Sequence, residues 1–252
     1  MINWQPLTGE FQLWQDAGIT LPFWWRDDDA IAPTTQLETL ISIATDLNIP
    51  CHLAVIPKFA TKALAERIAT TYLIIPITHG WAHENHAPEG QKKAEFGATR
   101  PIEDCATDAI QSLQHLQDLF GDQLQPMFVP PWNRINPDLG QHLVAIGYDA
   151  LSTYGPHKTR FSAPNLTQIN THLDPIAWRG NRSLVAPETL IAQTVKLLQD
   201  RRLGHADNTE PLGFLTHHLV HDAAIWAFVK QFLTIMLEGP IKPFRYGRDP
   251  LE

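Results

Sequence analysis

Residues 21–29 read Leu21-Pro22-Phe23-Trp24-Trp25-Arg26-Asp27-Asp28-Asp29. The run over 21–26 is short, apolar and aromatic, which predicts a buried strand. Three adjacent carboxylates follow it directly. Like charges side by side disfavour one another, so folding them together at the end of an apolar strand demands compensation, and a cation supplies it. A solvated acidic turn leading to a helix N-terminus is the alternative, because carboxylates are favoured there too.

The same organisation recurs along the chain. Strands are predicted at 21–26, 51–56, 72–77, 126–129, 150–153, 167–171 and 212–217. Helices are predicted at Thr35–Leu47, 61–70, Ile102–Phe120, 137–146, 187–201 and 223–237. Thr34 or Thr35 ahead of the Leu37, Leu40, Ile41, Ala44 stripe is a suitable start, as is Asn136 before Pro137. Strands that alternate with helices argue for parallel βαβ units, and about seven of them argue for an incomplete barrel rather than an open sheet. Longer loops are expected at 84–99, 155–165 and 204–210. No linker divides the chain, so residues 1–252 are expected to form one α/β domain.

Composition limits the function. The chain has 252 residues, 44% hydrophobic and 18% charged, enough for one sizeable core. Net charge is −8, from 19 basic and 27 acidic residues. No basic run exceeds the pairs Lys92-Lys93 and Arg201-Arg202, so no nucleic-acid partner is expected. No apolar stretch approaches the roughly 20 residues of a membrane span. The start, from Met1 to Glu10, has neither a basic nor an apolar leader region, which predicts a cytoplasmic protein. Cys51 and Cys105 lack metal-type spacing and are expected to be free thiols.

Reactive residue types fall at predicted strand C-termini, where barrel active sites are built. His79-Gly80-Trp81-Ala82-His83 has the spacing that puts two imidazoles on one side of a helical turn, within reach of one ion. Two imidazoles and a carboxylate are a recurrent set for catalytic zinc; a pair of surface histidines is the bland alternative. His86 reads as a surface or supporting residue. Phe128-Val129-Pro130-Pro131-Trp132-Asn133-Arg134 reads as a rigid wall offering an indole face for a sugar ring, or else as a structural turn. Asp174-Pro175-Ile176-Ala177-Trp178-Arg179 says little alone. In Phe214-Leu215-Thr216-His217-His218, strand alternation puts Leu215 and His217 on one side and His218 on the other; His217 is either a general acid or a structural histidine.

Together these segments resemble, in order, the five motifs of the polysaccharide deacetylases, carbohydrate esterase family 4, which include the nodulation-type chitooligosaccharide deacetylases. His79 to His83 is similar to the family's His-Thr-x-x-His, and Arg26 to Asp29 stands where the family has Phe-Asp-Asp-Gly. Phe128 to Asn133 is similar to Phe-Arg-Pro-Pro-Tyr-Gly, Asp174 and Trp178 to Asp-x-x-Asp-Trp, and Leu215 to His217 to Leu-x-His. The resemblance implies a distorted (β/α)7 barrel and a metal-dependent hydrolase that removes acetyl groups from N-acetylated sugars. It implies Asp27 as general base and Asp28, His79 and His83 as ligands of one divalent ion, zinc, or else cobalt or nickel. It further implies His217 as general acid, Asp174 as the carboxylate that orients it, and Trp178 and Leu215 as the acetyl pocket. Pro130, Trp132 and Arg134 are expected against the substrate.

Val129 occupies the place of the family's arginine, Ala177 that of a second Asp, and Asp29 that of a glycine. Arg26, Arg134 or Arg179 is therefore expected to hold the base, with Arg134 favoured because Arg26 would point away from Asp27 along a strand. The triple Asp leaves two registers open, Asp27/Asp28 and Asp28/Asp29. The rival readings are an amide hydrolase for a small non-sugar substrate and a non-catalytic carbohydrate-binding protein.

Overall fold

Alternation along the first strand sets the layers of the fold. The structure, a computed structural model, describes residues 2–247. Helix α1 (Gln5–Asp16) precedes β1 (Leu21–Ala30), α2 (Thr35–Leu47), β2 (Cys51–Val55), α3 (Lys62–Ile68), β3 (Ile74–His79) and α4 (Ile102–Phe120). Then come β4 (Met127–Val129), α5 (Leu139–Ile146), β5 (Ala150–Leu151), β6 (Phe161–Ala163) and β7 (Leu166–Gln168). The described chain ends through α6 (Pro187–Arg202), β8 (Leu212–Thr216), α7 (Ala223–Glu238) and β9 (Ile241–Pro243). The sheet runs β6-β7-β5-β4-β3-β2-β1-β8, with β9 added on β1. Every pairing is parallel except the β6–β7 hairpin.

The named strands do not close a ring. The chain beyond β7 spans the gap through a single parallel bridge, Leu173 to Phe214. The sheet curls around an interior of Trp24, Ala54, Ile77, Met127, Val129, Ala150 and Ile169. Phe23, Trp25 and Phe214 face outward into the layer formed with the helices. So even-numbered residues of β1 point into the barrel and odd-numbered ones toward the helices, the period of two that a pleated strand imposes. Phe244 and Tyr246, just after β9, pack against the interior cluster from its far end.

Several elements differ from the expectation. β1 runs on to Ala30 and takes in all three aspartates, and β3 extends to His79. The expected loop at 155–165 contains β6, which pairs back on β7 through a turn where Asn165 has φ 66°. Helix α1 was not anticipated; Leu7, Phe11 and Trp14 form its buried stripe, and Glu10 pairs with Arg202 of α6 at 2.7 Å. Thr34 caps α2 as expected, its hydroxyl accepting the Leu37 N–H at 3.0 Å. Both cysteines are free and buried. None of the described helices is long and apolar enough to cross a membrane.

His52 lies inside the barrel, fully buried, edge-on to Trp24. Its Nε2 accepts the Tyr246 N–H at 3.0 Å, so Nδ1 carries the proton and donates to the Trp25 carbonyl at 3.1 Å. Burial holds this neutral form and pushes the pKa down to about 4. The unfolded chain, titrating near 6.5, therefore binds more protons between about pH 6.5 and 4. The contribution is fully present above the unfolded value and is lost as pH falls toward 4, amounting to roughly 3 kcal/mol at its limit. His52→Gln is expected to lose less stability than wild type over that window in denaturant titrations. Parallel curves for the two proteins would show that His52 does not titrate this way.

Candidate metal centre and cleft

The sheet register slips at one place on β1. Asp27 pairs with Leu53 and Ala30 with Val55, so two residues of β1, Asp28 and Asp29, stand opposite Ala54 alone. This is a β-bulge, and Asp29 adopts φ 76° within it. A bulge re-aims side chains, and here it turns two consecutive carboxylates toward one cleft. Asp28 follows the inward parity of Trp24 and Arg26, while Asp29, which a regular strand would point outward, joins it.

Asp29 meets the histidines. Its Oδ1 lies 3.1 Å from His79 Nε2 and 3.4 Å from His83 Nε2. Among the described residues, Asp29, His79 and His83 form the group with metal-ligand geometry, one donor atom from each within 4.8 Å of the others. His79 Nδ1 contacts the Val129 carbonyl at 3.0 Å, an arrangement that fixes the proton on Nδ1 and leaves the Nε2 lone pair for an ion. Burial and the neighbouring His79 lower the pKa of His83, which favours the neutral form a ligand needs. Burial opposes charge on His79 as well, but Asp28 and Asp29 outweigh it and hold its pKa above the usual value. Burial likewise disfavours charge on Asp29, and His79 and the other histidines outweigh it and keep the carboxyl ionised. Where Asp28, His79 and His83 were expected to meet, the structure brings together Asp29, His79 and His83, the Asp28/Asp29 register of the two that the sequence leaves open.

Asp28 is engaged elsewhere. Arg26, fully buried, contacts it twice: Nε lies 2.9 Å from Oδ1, and Nη2 donates to Oδ2 at 3.0 Å. The same guanidinium donates to Asn133 Oδ1 and to the Ser152 hydroxyl, each at 2.7 Å. Arg26 and Asp28 are two residues apart and share a face, which is why the pairing forms. The expected holder, Arg134, instead donates to the Lys93 carbonyl at 2.7 Å.

Asp27 points away from the cleft and is buried. It accepts from the Thr216 hydroxyl at 2.6 Å and from the His218 N–H at 3.0 Å, and its other oxygen meets His218 Nδ1. Burial works against both charges, yet each group outweighs it for the other: the Asp27 carboxyl is held below its usual range and the His218 imidazole above it. This is a structural pair behind the sheet.

His217 lines the cleft, with Nε2 4.0 Å from Asp28 Oδ2 and its ring edge-on to Trp178 at 4.8 Å. Its buried Nδ1 makes no hydrogen bond. Asp174, expected to orient it, accepts instead from Trp178 Nε1 at 2.7 Å and from the Ile176 N–H at 2.9 Å. Burial pushes the Asp174 carboxyl up, against the effect of nearby His217. Trp132, Arg134, Trp178 and Leu215 line the cleft, whose volume is about 820 Å³; Pro130 is buried outside its lining.

The His-x3-His segment is not a helical turn. It is a bend in which Gly80 has φ 55° and His83 φ 56°. Glu95, fully buried, organises it: its carboxylate accepts the N–H groups of Ala82 at 2.8 Å, Trp81 at 3.2 Å and Glu84 at 3.3 Å. A Cβ at Gly80 would meet Glu95 Oε2 at 2.3 Å and Pro131 Cδ at 2.5 Å, so only glycine fits there. Strain concentrates here. Of the seven described non-glycine residues with positive φ, five (Asp29, His83, Trp132, Asn133 and Arg182) line the cleft, and the other two are asparagines, which tolerate that conformation. Such clustering marks a site whose geometry is over-determined by its surroundings.

At the level of sequence, no family model and no curated protein matches the chain. Its structure is similar to that of a family 4 carbohydrate esterase from Streptomyces lividans in complex with acetate, at 13% identity and a TM-score of 0.58, covering 90% of this chain and 93% of that one. It is also similar to a protein from Mycobacterium smegmatis assigned as a polysaccharide deacetylase, at 13% identity and a TM-score of 0.64, covering 89% and 87%. A third likeness is to a mutant of a family 4 pseudoenzyme with restored activity, at 12% identity and a TM-score of 0.56, covering 88% and 65%. These likenesses establish the fold as the open, barrel-like (β/α)7 type of the polysaccharide deacetylases.

Glu95→Gln keeps the shape but sets an amide N–H against one or more of the N–H donors it serves. It is expected to destabilise the protein by about 1–3 kcal/mol, the worth of a buried donor left unsatisfied. It is also expected to weaken zinc affinity measured against a competing chelator, because His83 loses its support. Unchanged affinity together with unchanged stability would remove Glu95 from this role.

Proposed function

We propose that the protein is a metal-dependent deacetylase that cleaves the amide of N-acetylated sugars, with Asp29, His79 and His83 holding one divalent ion. The observation that carries this reading is the bulge, which sets a two-imidazole, one-carboxylate ligand set beside a second carboxylate clamped by a buried arginine. Two nitrogen donors and one oxygen suit zinc, with cobalt or nickel as alternatives. An ion held there would supply Lewis acidity, polarising the amide carbonyl and acidifying water at the site.

The chain's own groups divide the remaining work. Asp28 is the general base. Arg26 grips it from below and fixes its direction, so it takes the proton of the attacking water. His217 faces Asp28 across the cleft and gives a proton to the leaving nitrogen, which an amide requires because a bare amide anion leaves poorly. Asp174 acts through Trp178, holding the indole against the His217 ring. Leu215 and Trp178 form the apolar pocket for the acetyl methyl, and Trp132, its ring tilted against His83 at 4.3 Å, offers a second wall. A valine at 129 favours a non-catalytic reading only while the base lacks a cationic partner, and Arg26 supplies one.

Three isosteric variants test the register. Asp28→Asn is expected to lower kcat by ~10²–10⁴-fold with zinc still bound, as for loss of a general base. Asp29→Asn is expected to lose zinc. Asp27→Asn is expected to keep zinc and lose stability, of the order of 3–5 kcal/mol, as His218 is left without its partner. Acetate release from N-acetylated chito-oligomers, zinc content and denaturation midpoints read all three; zinc lost from Asp28→Asn but retained in Asp29→Asn would refute the assignment.

A further inference from the structure

The arginines of this chain are sorted by place. Arg67, Arg100, Arg201 and Arg202 each reach a carboxylate away from the cleft, and Arg26 reaches Asp28. Among the described residues, Arg134, Arg160, Arg179 and Arg182 reach no carboxylate in an ion pair, although the chain carries 27 acidic groups and a net charge of −8; Arg160 lies over the Phe161 ring, away from the cleft. The other three, Arg134, Arg179 and Arg182, line the one cleft. Random placement on an acidic surface would leave such guanidinium groups paired or scattered; these gather where the substrate enters.

Arg182 is built into position. The Arg182 guanidinium lies over the Trp178 ring, 5.3 Å from its centre, and such stacking holds the planar group while leaving its N–H edges free. Trp178 is fixed in turn by its Nε1 bond to Asp174. Arg182 adopts φ 58°, a costly conformation for a long side chain, and its N–H bonds the Ala177 carbonyl at 3.2 Å. Ser183 closes the loop, its N–H held by Asn181 and its hydroxyl by Asp222. Arg179 sits on the same loop. His217, which follows β8, lies edge-on to this wall at Trp178, so in the hydrolase reading the nitrogen that it protonates leaves beside the loop. The sugar attached to that nitrogen therefore faces Arg179 and Arg182.

We propose that the cleft selects N-acylated sugars bearing an anionic group, a carboxylate or a phosphate monoester, which Arg179 and Arg182 receive. The direction of the substrate rests on the hydrolase reading above; the selection by charge is a property of binding alone. Either group matches the flat, bidentate fork of a guanidinium.

Calorimetric binding to the zinc-loaded protein compares N-acetylglucosamine with its 6-phosphate and with the corresponding uronic acid. The proposal expects at least one acidic sugar to bind about tenfold tighter than the neutral one, with a preference that shrinks at high salt. Arg179→Gln/Arg182→Gln is expected to bring the preference within about twofold, and Arg182→Lys, which keeps the charge, to retain part of it. Which acid is preferred assigns the group. Equal binding of all three sugars, or binding of none, overturns the proposal. So does a preference that survives the double variant, since the anion would then sit on the metal. Acetate release from the same sugars is read separately: arginine-dependent anion binding without any release would overturn the hydrolase reading and leave the charge selection standing.

Discussion

The site depends on one extra residue in a strand. Without the bulge at Asp28 and Asp29, the pleat would send Asp29 outward with Asp27, and β1 would give the cleft one carboxylate instead of two. With it, a carboxylate that meets two imidazoles and one that meets a guanidinium stand side by side. Their mutual repulsion is answered on both sides. Arg26 neutralises Asp28 from within the barrel, and the two histidines, or an ion between them and Asp29, take up the other charge. Arg26 is fully buried and still well served, with Asp28, Asn133 and Ser152 around it. A buried cation left without such partners would be strongly destabilising.

The surrounding loops follow from that core. Trp132 and Asn133 both take positive φ after β4, and that conformation delivers Asn133 to Arg26 and Trp132 to His83. Glu95 performs the matching task for the bend that carries His83. Behind the sheet, Asp27 and His218 tie β1 to the end of β8, the two strands that bring Asp28, Asp29 and His217 to the cleft. Three adjacent aspartates therefore do three different things: one braces the sheet, one faces a guanidinium and one faces the histidines.

The alternation of strands and helices made the barrel legible, and so were the strand ends that carry chemistry. His79, His83, His217, Trp132 and Trp178 reach the cleft named for them. The register of the aspartates was not legible, for a physical reason. Trp24 and Trp25 are both apolar and both fully buried, one inside the barrel and one under the helices, so the sequence shows no alternation from which to count parity. A regular strand points Arg26 away from Asp27, which is why the sequence favours Arg134 as its partner. Arg26 shares its face with Asp28, two residues on, and pairs with it. Asp29, standing where the family's motif has a glycine, was the one sign of a left-handed position. Glu95 carried no such signal, because a single acid in a long loop looks like any solvated side chain, and only its three N–H partners distinguish it.

Anomalous diffraction from crystals of the zinc-loaded protein tests the account most directly. It predicts one peak roughly 2.0–2.2 Å from His79 Nε2, His83 Nε2 and an Asp29 oxygen, the usual zinc distances, with Asp28 still on Arg26. A peak ligated by Asp28, with Asp29 turned away from it, would contradict the account.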